Sequence, residues 1–587
     1  MLIVLNVRVF FSVFFLLCVF FCKLCVADYA AVTLDGRGAV ATVQPLATKA
    51  ALDVYARGGN AVDAAIAAAL TLGVVDGHNS GLGGGCFVLI RRKDGSIEAL
   101  DGREMAPQAA SRDMYLRDGK VVPGLSRTGP LAVGIPGSVA AYEYLSESAG
   151  QLKFSDLLLP AADLAERGFA IDAIYAKRIA RHAQTFKGFS GSAAVLLNKD
   201  LEPWPVSHFL QQKDLAATYR GIAKDGADYF YRGDFSKKVG AWMQANGGLV
   251  SADDFSIYKL QHRQPIVSEF AGYKIYGFAP PSSGGVHVAQ VLTMLADLTQ
   301  PEDPVGRHHQ MAEVMKLAFA DRAYWMGDPD FVKVPLGLLD QRYLQVQAAK
   351  VRADKVLNLV GPGSPPKAEL DIFDKHTTHI STADKDGNWV SITTTVNTDF
   401  GSKVIVPGTG VFLNNQMDDF SAQPGIANIY GLVGSEANAI APGKRPLSSM
   451  SPTLVLKNDK PIMSLGAAGG PTIISQVVQV LNNNLRLGMP LSDALAAPRI
   501  HHQWRPDALY LEKTIAGADR AALLDLGHTL KTLGPYGSTQ AIGLDAKGHF
   551  VAVAEPRLLE RNRIKSTIVK KALPETNYID VKIPAKK

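Results

Sequence analysis

Apolar and polar positions follow one rhythm up to about residue 376 and another after it. In the first part, an Ala-rich apolar stretch from Ala61 to Val75 follows Gly58-Gly59-Asn60. Asn60 is suited to cap a helix and Asp63 to sit in its first turn, so the pattern predicts a buried helix over 61–75. Gly81-Leu82-Gly83-Gly84-Gly85 then leads into an apolar strand from Phe87 to Ile90, and a second short strand runs into Leu100-Asp101-Gly102, leaving Arg103 just past its end. From Phe154 to about Arg322 the pattern is mostly helical with polar breaks, and Pro280 to Gly285 announces a further helix through Leu295.

From Thr377 the period shortens to that of strands. A hairpin is predicted over Thr377–Val396, with strands His379–Ala383 and Trp389–Val396 around the turn Asp384–Asn388. A second is predicted from Thr453–Leu456 and Pro461–Leu465 around Lys457–Lys460. After Leu465 come Gly466-Ala467-Ala468-Gly469-Gly470-Pro471 and an apolar helix from Thr472 to Leu487. In that order of strand, glycine turn and helix, the N–H groups of Gly469 and Gly470 either bind an oxyanion beside a helix N-terminus or serve a packing turn.

Composition narrows the class. The 587 residues are 47% hydrophobic and 20% charged, as in an ordinary globular protein, and no Pro/Ser/Gly-rich linker or long charge run divides them. One or two intimately packed units are expected. A net charge of +6, with no basic stretch interleaved with aromatics, points to solubility rather than nucleic acid. Met1 to Ala27 reads as an export signal: Arg8 precedes an apolar run, Val9 to Cys22, too short to span a bilayer, and Cys25-Val26-Ala27 fits a cleavage site before Asp28. The chain is expected to be periplasmic or secreted, or membrane-anchored if the segment stays. Three of the four cysteines lie in it, which leaves Cys86 without a partner.

Several chemistries are set aside. Gly81–Gly85 follows a helix, not a strand, and lacks the dinucleotide fingerprint, so close backbone packing is expected there. Ser282 and Ser283 lack a nucleophile elbow and read as helix caps. His309 with Glu313, and His501-His502, offer too few ligands for a metal. Thr377 stands out by placement. An internal threonine is a poor nucleophile, but if the preceding bond breaks, the freed α-amino group, of pKa ~7.7 to 8, can serve as base to its own hydroxyl.

Motifs that occur together and in order carry a family resemblance: Thr377-Thr378-His379, Asn414-Asn415-Gln416-Met417-Asp418-Asp419-Phe420, Pro446-Leu447-Ser448-Ser449-Met450-Ser451-Pro452 and Gly469-Gly470. Upstream stand Gly58 to Ala65, Arg103-Glu104-Met105-Ala106-Pro107, Pro280 to Gly285, Phe319-Ala320-Asp321-Arg322 and Gly327-Asp328-Pro329-Asp330. On these the chain, from about residue 30 to 555, resembles a γ-glutamyltranspeptidase, also called γ-glutamyltransferase or glutathione hydrolase.

The resemblance implies an α+β N-terminal-nucleophile hydrolase, a four-layer αββα sandwich made as one precursor. The precursor would cut itself between His376 and Thr377 into a large subunit, 28–376, and a small one, 377–587, that stay associated. Thr377 would then attack γ-glutamyl donors such as glutathione, with transfer to water or to an amino-acid or peptide amine and with no metal or organic cofactor. It also implies that Thr395 orients Thr377 and that Gly469 and Gly470 hold the oxyanion. Arg103, Ser448 and Ser449 would take the donor's α-carboxylate, and Asp419, Asn397 and Gln416 its ammonium. Pro424 to Ala437, with Tyr430, resembles a lid. Taken alone, Arg103 also fits a surface ion pair with Glu104, and Met450 fits packing. A glutaryl or cephalosporin acylase, a poly-γ-glutamate-cleaving relative and an inactive γ-glutamyl-binding homologue are the alternatives, and Asp419 argues against a glutaryl substrate, which has no ammonium. Gly77 where the family usually has proline, Cys86 in place of a fourth glycine and a basic tail from about Pro556 depart from the pattern.

Overall fold

The computed structural model describes residues 28–122, 124–358, 361–364, 369–370, 378–534 and 538–558. The export signal, residues 376 and 377 with the junction between them, and the tail beyond 558 lie outside these. Among the described residues no helix is long and apolar enough to cross a membrane.

The strands that build the core are, in chain order, β1 (Ala30–Val32), β2 (Gly38–Ala41), β3 (Gly85–Arg91), β4 (Ile97–Gly102), β5 (Gln261–Arg263), β6 (Ile266–Phe270), β7 (Tyr273–Gly277), β8 (Thr378–Asp384), β9 (Trp389–Thr395), β10 (Thr453–Lys457), β11 (Lys460–Gly466), β12 (Gln540–Leu544) and β13 (Phe550–Ala554). They form two antiparallel sheets, ordered β1-β2-β8-β9-β3-β4-β5 and β6-β7-β10-β11-β12-β13. The sheets face each other across an apolar layer that includes Phe87, Trp389, Leu454 and Ile542. Polar bridges cross the same layer: Ser464 donates to the Ser381 hydroxyl at 3.0 Å, and Ser391 to the Leu465 carbonyl at 3.1 Å.

Helix α1 (Ala61–Val75) covers the first sheet over β8 and β9, and α2 (Ala173–Phe186) joins the same apolar cluster. On the second sheet pack α3 (Ser283–Asp297), α4 (Pro304–Trp325) and α5 (Thr472–Leu481). Helix, sheet, sheet, helix is the four-layer sandwich the family resemblance implies.

Local chemistry explains why the central hairpin sits where it does. Every residue of α1 is buried, so small alanines let it lie close on the sheet. Asn60 and Asp63 cap it reciprocally, the Asn60 side chain accepting from the N–H of Val62 and Asp63 while Asp63 accepts from the N–H of Asn60. Asp384, in the hairpin turn, accepts from the N–H of Ala61 at 2.9 Å and from the N–H of Asn388 at 3.0 Å. One carboxylate thus joins the turn of β8–β9 to the start of α1.

Two expectations need correction. The segment read as helical through about Arg322 contains β5, β6 and β7; β6 and β7 form a hairpin through Ala271 and Gly272, both at positive φ. Their partners, β4 and β10, lie far away in sequence, so the pattern of a five-residue strand was hidden among helices. The helix expected to run from Thr472 to Leu487 is α-helical only to Leu481 and ends in a π turn, Asn482–Arg486. Three consecutive asparagines, whose side chains compete for backbone hydrogen bonds, stand at the change.

Candidate active site

The β8–β9 ladder ends on the pair Thr378 and Thr394, so Thr395 is the next residue along β9. Thr395 is buried, and its hydroxyl accepts from the N–H of Asn397 at 2.7 Å, which leaves its own proton to donate. Across the ladder, Thr395 pairs with Gly85. A Cβ on Gly84 would stand 1.7 Å from the Thr395 carbonyl oxygen, so the glycine run serves close backbone packing, as its sequence suggests.

Arg103 follows β4 directly and is fully buried, which overturns the surface-pair reading. Its guanidinium donates to Asp419 at 2.8 Å, to Glu104 at 3.3 Å and to the Pro446 carbonyl at 3.3 Å. Burial raises the Asp419 carboxyl above its ordinary value, with Arg103 pulling it back down, and pushes Glu104 up to about 7 against the same opposing charge. Gln416 donates its side-chain N–H to Asp419 at 3.1 Å, and among the described residues its own buried oxygen has no hydrogen-bond partner.

The rest of that motif is scaffolding. Asn414 grips the Gly83 and Gly134 carbonyls and accepts from the N–H of Gly134 and Gln416. Asn415 accepts at its carbonyl from the Asn397 side chain at 2.9 Å.

Ser448 and Ser449 are buried in the same region; Ser448 Oγ accepts from the N–H of Met450, and Ser449 Oγ has no hydrogen-bond partner among the described residues. Met450 packs between the sheets, in keeping with a purely apolar role. The start of α3 holds this segment from behind. Ser282 caps the helix through the N–H of Gly284 and donates to the Met450 carbonyl, while Ser283 donates to the Ser448 carbonyl and accepts from the buried Arg322. Ser282 therefore caps the helix as its sequence context suggests, whereas Ser283 braces Ser448 instead of capping. The charge of Arg322, part of the Phe319–Arg322 motif, also acts on Asp419, so two guanidiniums, Arg103 and Arg322, bear on that carboxylate.

Gly469 and Gly470 sit at φ +132° and +60° just before α5, conformations that favour glycine. Their carbonyls accept from the N–H of Thr472 and Ile473, which turns the chain into the helix; among the described residues no acceptor takes either glycine N–H. Both line a cavity of about 540 Å³ that also reaches Thr378, Asn397 and Tyr430. The Tyr430 hydroxyl donates toward the Asn397 carbonyl at 3.1 Å and side-chain oxygen at 2.9 Å, and Gln503 donates to the carbonyls of Tyr430 and Gly431. The segment that carries Tyr430 is thus fastened to the residues that follow β9.

The residues set aside as metal ligands converge in part. His309, Glu313 and His528 come together buried, but His309 Nδ1 and His528 Nε2 share a hydrogen bond of 2.7 Å and the Lys316 ammonium stands 3.2 Å from Glu313. The cluster satisfies itself, with the lysine as counter-cation. His501 bonds Ser475 and Gln503, and His502 contacts Asp507. Cys86 is free and buried beneath the site.

Residues 47–562 match the family model described as gamma-glutamyltranspeptidase. Among curated relatives, the glutathione hydrolase proenzyme of Escherichia coli (strain K12) is 39% identical over 531 residues, covering 89% of this chain and 91% of the relative. Among solved structures, a cephalosporin acylase from Bacillus halodurans superposes with a TM-score of 0.80 at 28% identity, over 90% of this chain and 96% of that one. The Helicobacter pylori gamma-glutamyltranspeptidase matches with a TM-score of 0.52 at 36% identity, over 54% of this chain and 92% of that one.

Proposed function

The chain belongs to the gamma-glutamyltranspeptidase family, and we propose that it cuts itself between His376 and Thr377 and moves the γ-glutamyl group of glutathione-like donors through an ester on Thr377. The observation that carries the reading is a buried cluster of side chains charged for a zwitterion, with Arg103 against Asp419. A donor's α-carboxylate meets the Arg103 fork and the unpartnered Ser449 hydroxyl, and its α-ammonium meets Asp419 and the unpartnered Gln416 oxygen. With Arg103 and Asp419 paired at 2.8 Å, the entering zwitterion replaces one buried ion pair by two and leaves no charge uncompensated.

The scissile carbonyl then lies toward Gly469 and Gly470, whose outward N–H groups and adjoining helix N-terminus stabilise the oxyanion. In maturation, the Thr377 hydroxyl attacks the preceding carbonyl, the acyl group shifts from nitrogen to oxygen, and water opens the ester. The freed α-amine afterwards takes the hydroxyl proton as Thr377 attacks the donor; the amine of the leaving group departs with a proton, and water or an acceptor amine releases the glutamyl group. Thr395, one residue beyond the last described pair of the ladder, supplies the hydroxyl that orients Thr377. The leader, 1–27, directs export, and subunits 28–376 and 377–587 work as one body.

The test is mass spectrometry of the purified protein with turnover of a γ-glutamyl anilide. Wild type is expected as two pieces, the second beginning at Thr377, and Thr377→Ala as one uncut chain without turnover. Active protein with the His376–Thr377 bond intact overturns the mechanism. The similarity to a cephalosporin acylase favours a second reading, amide cleavage of glutaryl substrates. Asp419 weighs against it, and turnover of glutarylamide above that of γ-glutamylamide decides for it.

A further inference from the structure

The cavity that exposes Gly469 and Gly470 continues along a charged wall. A chain of contacts leads away from the reacting strand. Asp76, at the end of α1, lies beside the Thr378 hydroxyl; Asn79 donates to Asp76 at 2.9 Å; Arg178, on α2, donates to the Asn79 side-chain oxygen at 2.6 Å. Asp76, Asn79 and Arg178 all line the cavity. The loop that carries the first two is tied to the residues after β9, since the N–H of Val396 bonds the Asn79 carbonyl and that of Phe400 the His78 carbonyl.

Two features of this wall are unused by the chemistry above. Among the described residues Asp76 Oδ2 is buried without a hydrogen-bond partner, and burial pushes the carboxyl up to about 7 despite the pull of Arg178 and Asn79. Arg178 is fixed through Nη1 alone, to Asn79 and to Asp399 at 3.1 Å, and its side chain is 25% exposed. Among the described residues its Nε and Nη2 make no hydrogen bond, so a guanidinium edge is held in place and open to the cavity. A fixed, open guanidinium edge suits a carboxylate, and a buried acceptor beside it suits an N–H.

We propose that Arg178 reads the C-terminal carboxylate of the group on the far side of the scissile amide, a dipeptide leaving group or acceptor, while Asp76 accepts from its backbone N–H. This rests on the γ-glutamyl reading above and deepens it by naming the chemistry of the second substrate. Such an enzyme favours donors and acceptors that end in a free carboxylate over their amides.

The experiment compares kcat/KM for hydrolysis of glutathione with that for its C-terminal amide, on matured protein whose two pieces are verified by gel. Hydrolysis of γ-glutamyl-p-nitroanilide, whose leaving group has no carboxylate, runs beside it. Wild type is expected to favour free glutathione over the amide by about tenfold, the worth of one charge-assisted hydrogen bond at a partly exposed site. Arg178→Gln brings the two to parity, and Arg178→Lys keeps part of the preference. Parity in wild type, or an undiminished preference in Arg178→Gln, overturns the proposal; should the glutamine variant not fold, the wild-type and lysine ratios still decide. Loss of all γ-glutamyl-p-nitroanilide turnover in a matured wild type would sink the underlying function instead.

Discussion

Replacing Arg103 by lysine separates charge from shape. The guanidinium lies between Asp419 and Glu104 and also reaches the Pro446 carbonyl, all with no exposure to water. Removing it altogether strands two carboxylates and costs ~3–5 kcal/mol of stability, which blurs any effect on binding. Lysine keeps the positive charge but offers a point donor in place of a fork. The expected loss is one or two charge-assisted hydrogen bonds to the donor's α-carboxylate, ~1.5–3 kcal/mol each. At ~1.4 kcal/mol per tenfold, kcat/KM falls by ~10 to ~100-fold for the loss of a single bond and further for two. The α-carboxylate keeps its charge throughout the reaction, so the contact is uniform and the loss belongs in KM more than in kcat. Steady-state hydrolysis of γ-glutamyl-p-nitroanilide by matured protein measures both constants. An Arg103→Lys enzyme, fully cut, with KM within about twofold of wild type would remove Arg103 from the donor site, since lysine cannot reproduce a bidentate contact.

Three further outcomes are expected. Thr395→Val keeps the shape of the side chain but orphans the buried N–H of Asn397 and removes the hydroxyl that orients Thr377; kcat should fall ~10 to ~100-fold and return largely with Thr395→Ser, and an unchanged kcat in the valine variant refutes the role. Tyr430→Phe deletes two hydrogen bonds to Asn397, so donor kcat/KM should drop ~5 to ~10-fold with little change in melting temperature; equal kinetics would mean the lid does not act through Asn397. Asp76 has a folded pKa of about 7 against an ordinary 3.8, so its contribution to stability is full below the lower value and is lost as pH rises through the upper. Asp76→Asn should therefore gain on wild type in thermal denaturation as pH rises from about 4 to 7, to a ceiling of about 4 kcal/mol, and a flat difference across that range defeats the argument.

What the sequence disclosed was mostly local. Asn60 with Asp63, the Asp384–Asn388 turn and the strand, glycine turn and helix around Gly469 each carry their geometry in a few adjacent residues, and each folds as read. Arg103 misleads when taken alone because its main partner, Asp419, is 316 residues away, so its burial is a property of the assembled sandwich. The β6–β7 hairpin is local, and Ala271-Gly272 between two short alternating runs is its signal, masked by the helical pattern on either side. The bracing of Ser448 by Ser283 and Arg322 was equally invisible, since three separate segments meet there. Motif order supplied what periodicity could not, by naming residues that only the fold brings together.

The same long-range pairing explains why a chain cut before Thr377 can remain one body. β8 and β9 are the central strands of the first sheet, with β2 on one side and β3 on the other, both from the part upstream of the cut. In the second sheet β7, from upstream, pairs with β10 from downstream. A buried ion network adds to the ladders: Arg445 binds Asp101, which Arg263 also binds at 3.1 Å, and its N–H reaches Asp328 at 2.7 Å. Separating the pieces would break three ladders of backbone pairing and the buried Arg445–Asp101 ion pair. The proposed cut precedes the first described residue of β8, Thr378, and breaks none of these pairings. The fold therefore lets hydrolysis free the amine at residue 377 while every other group of the site keeps its support.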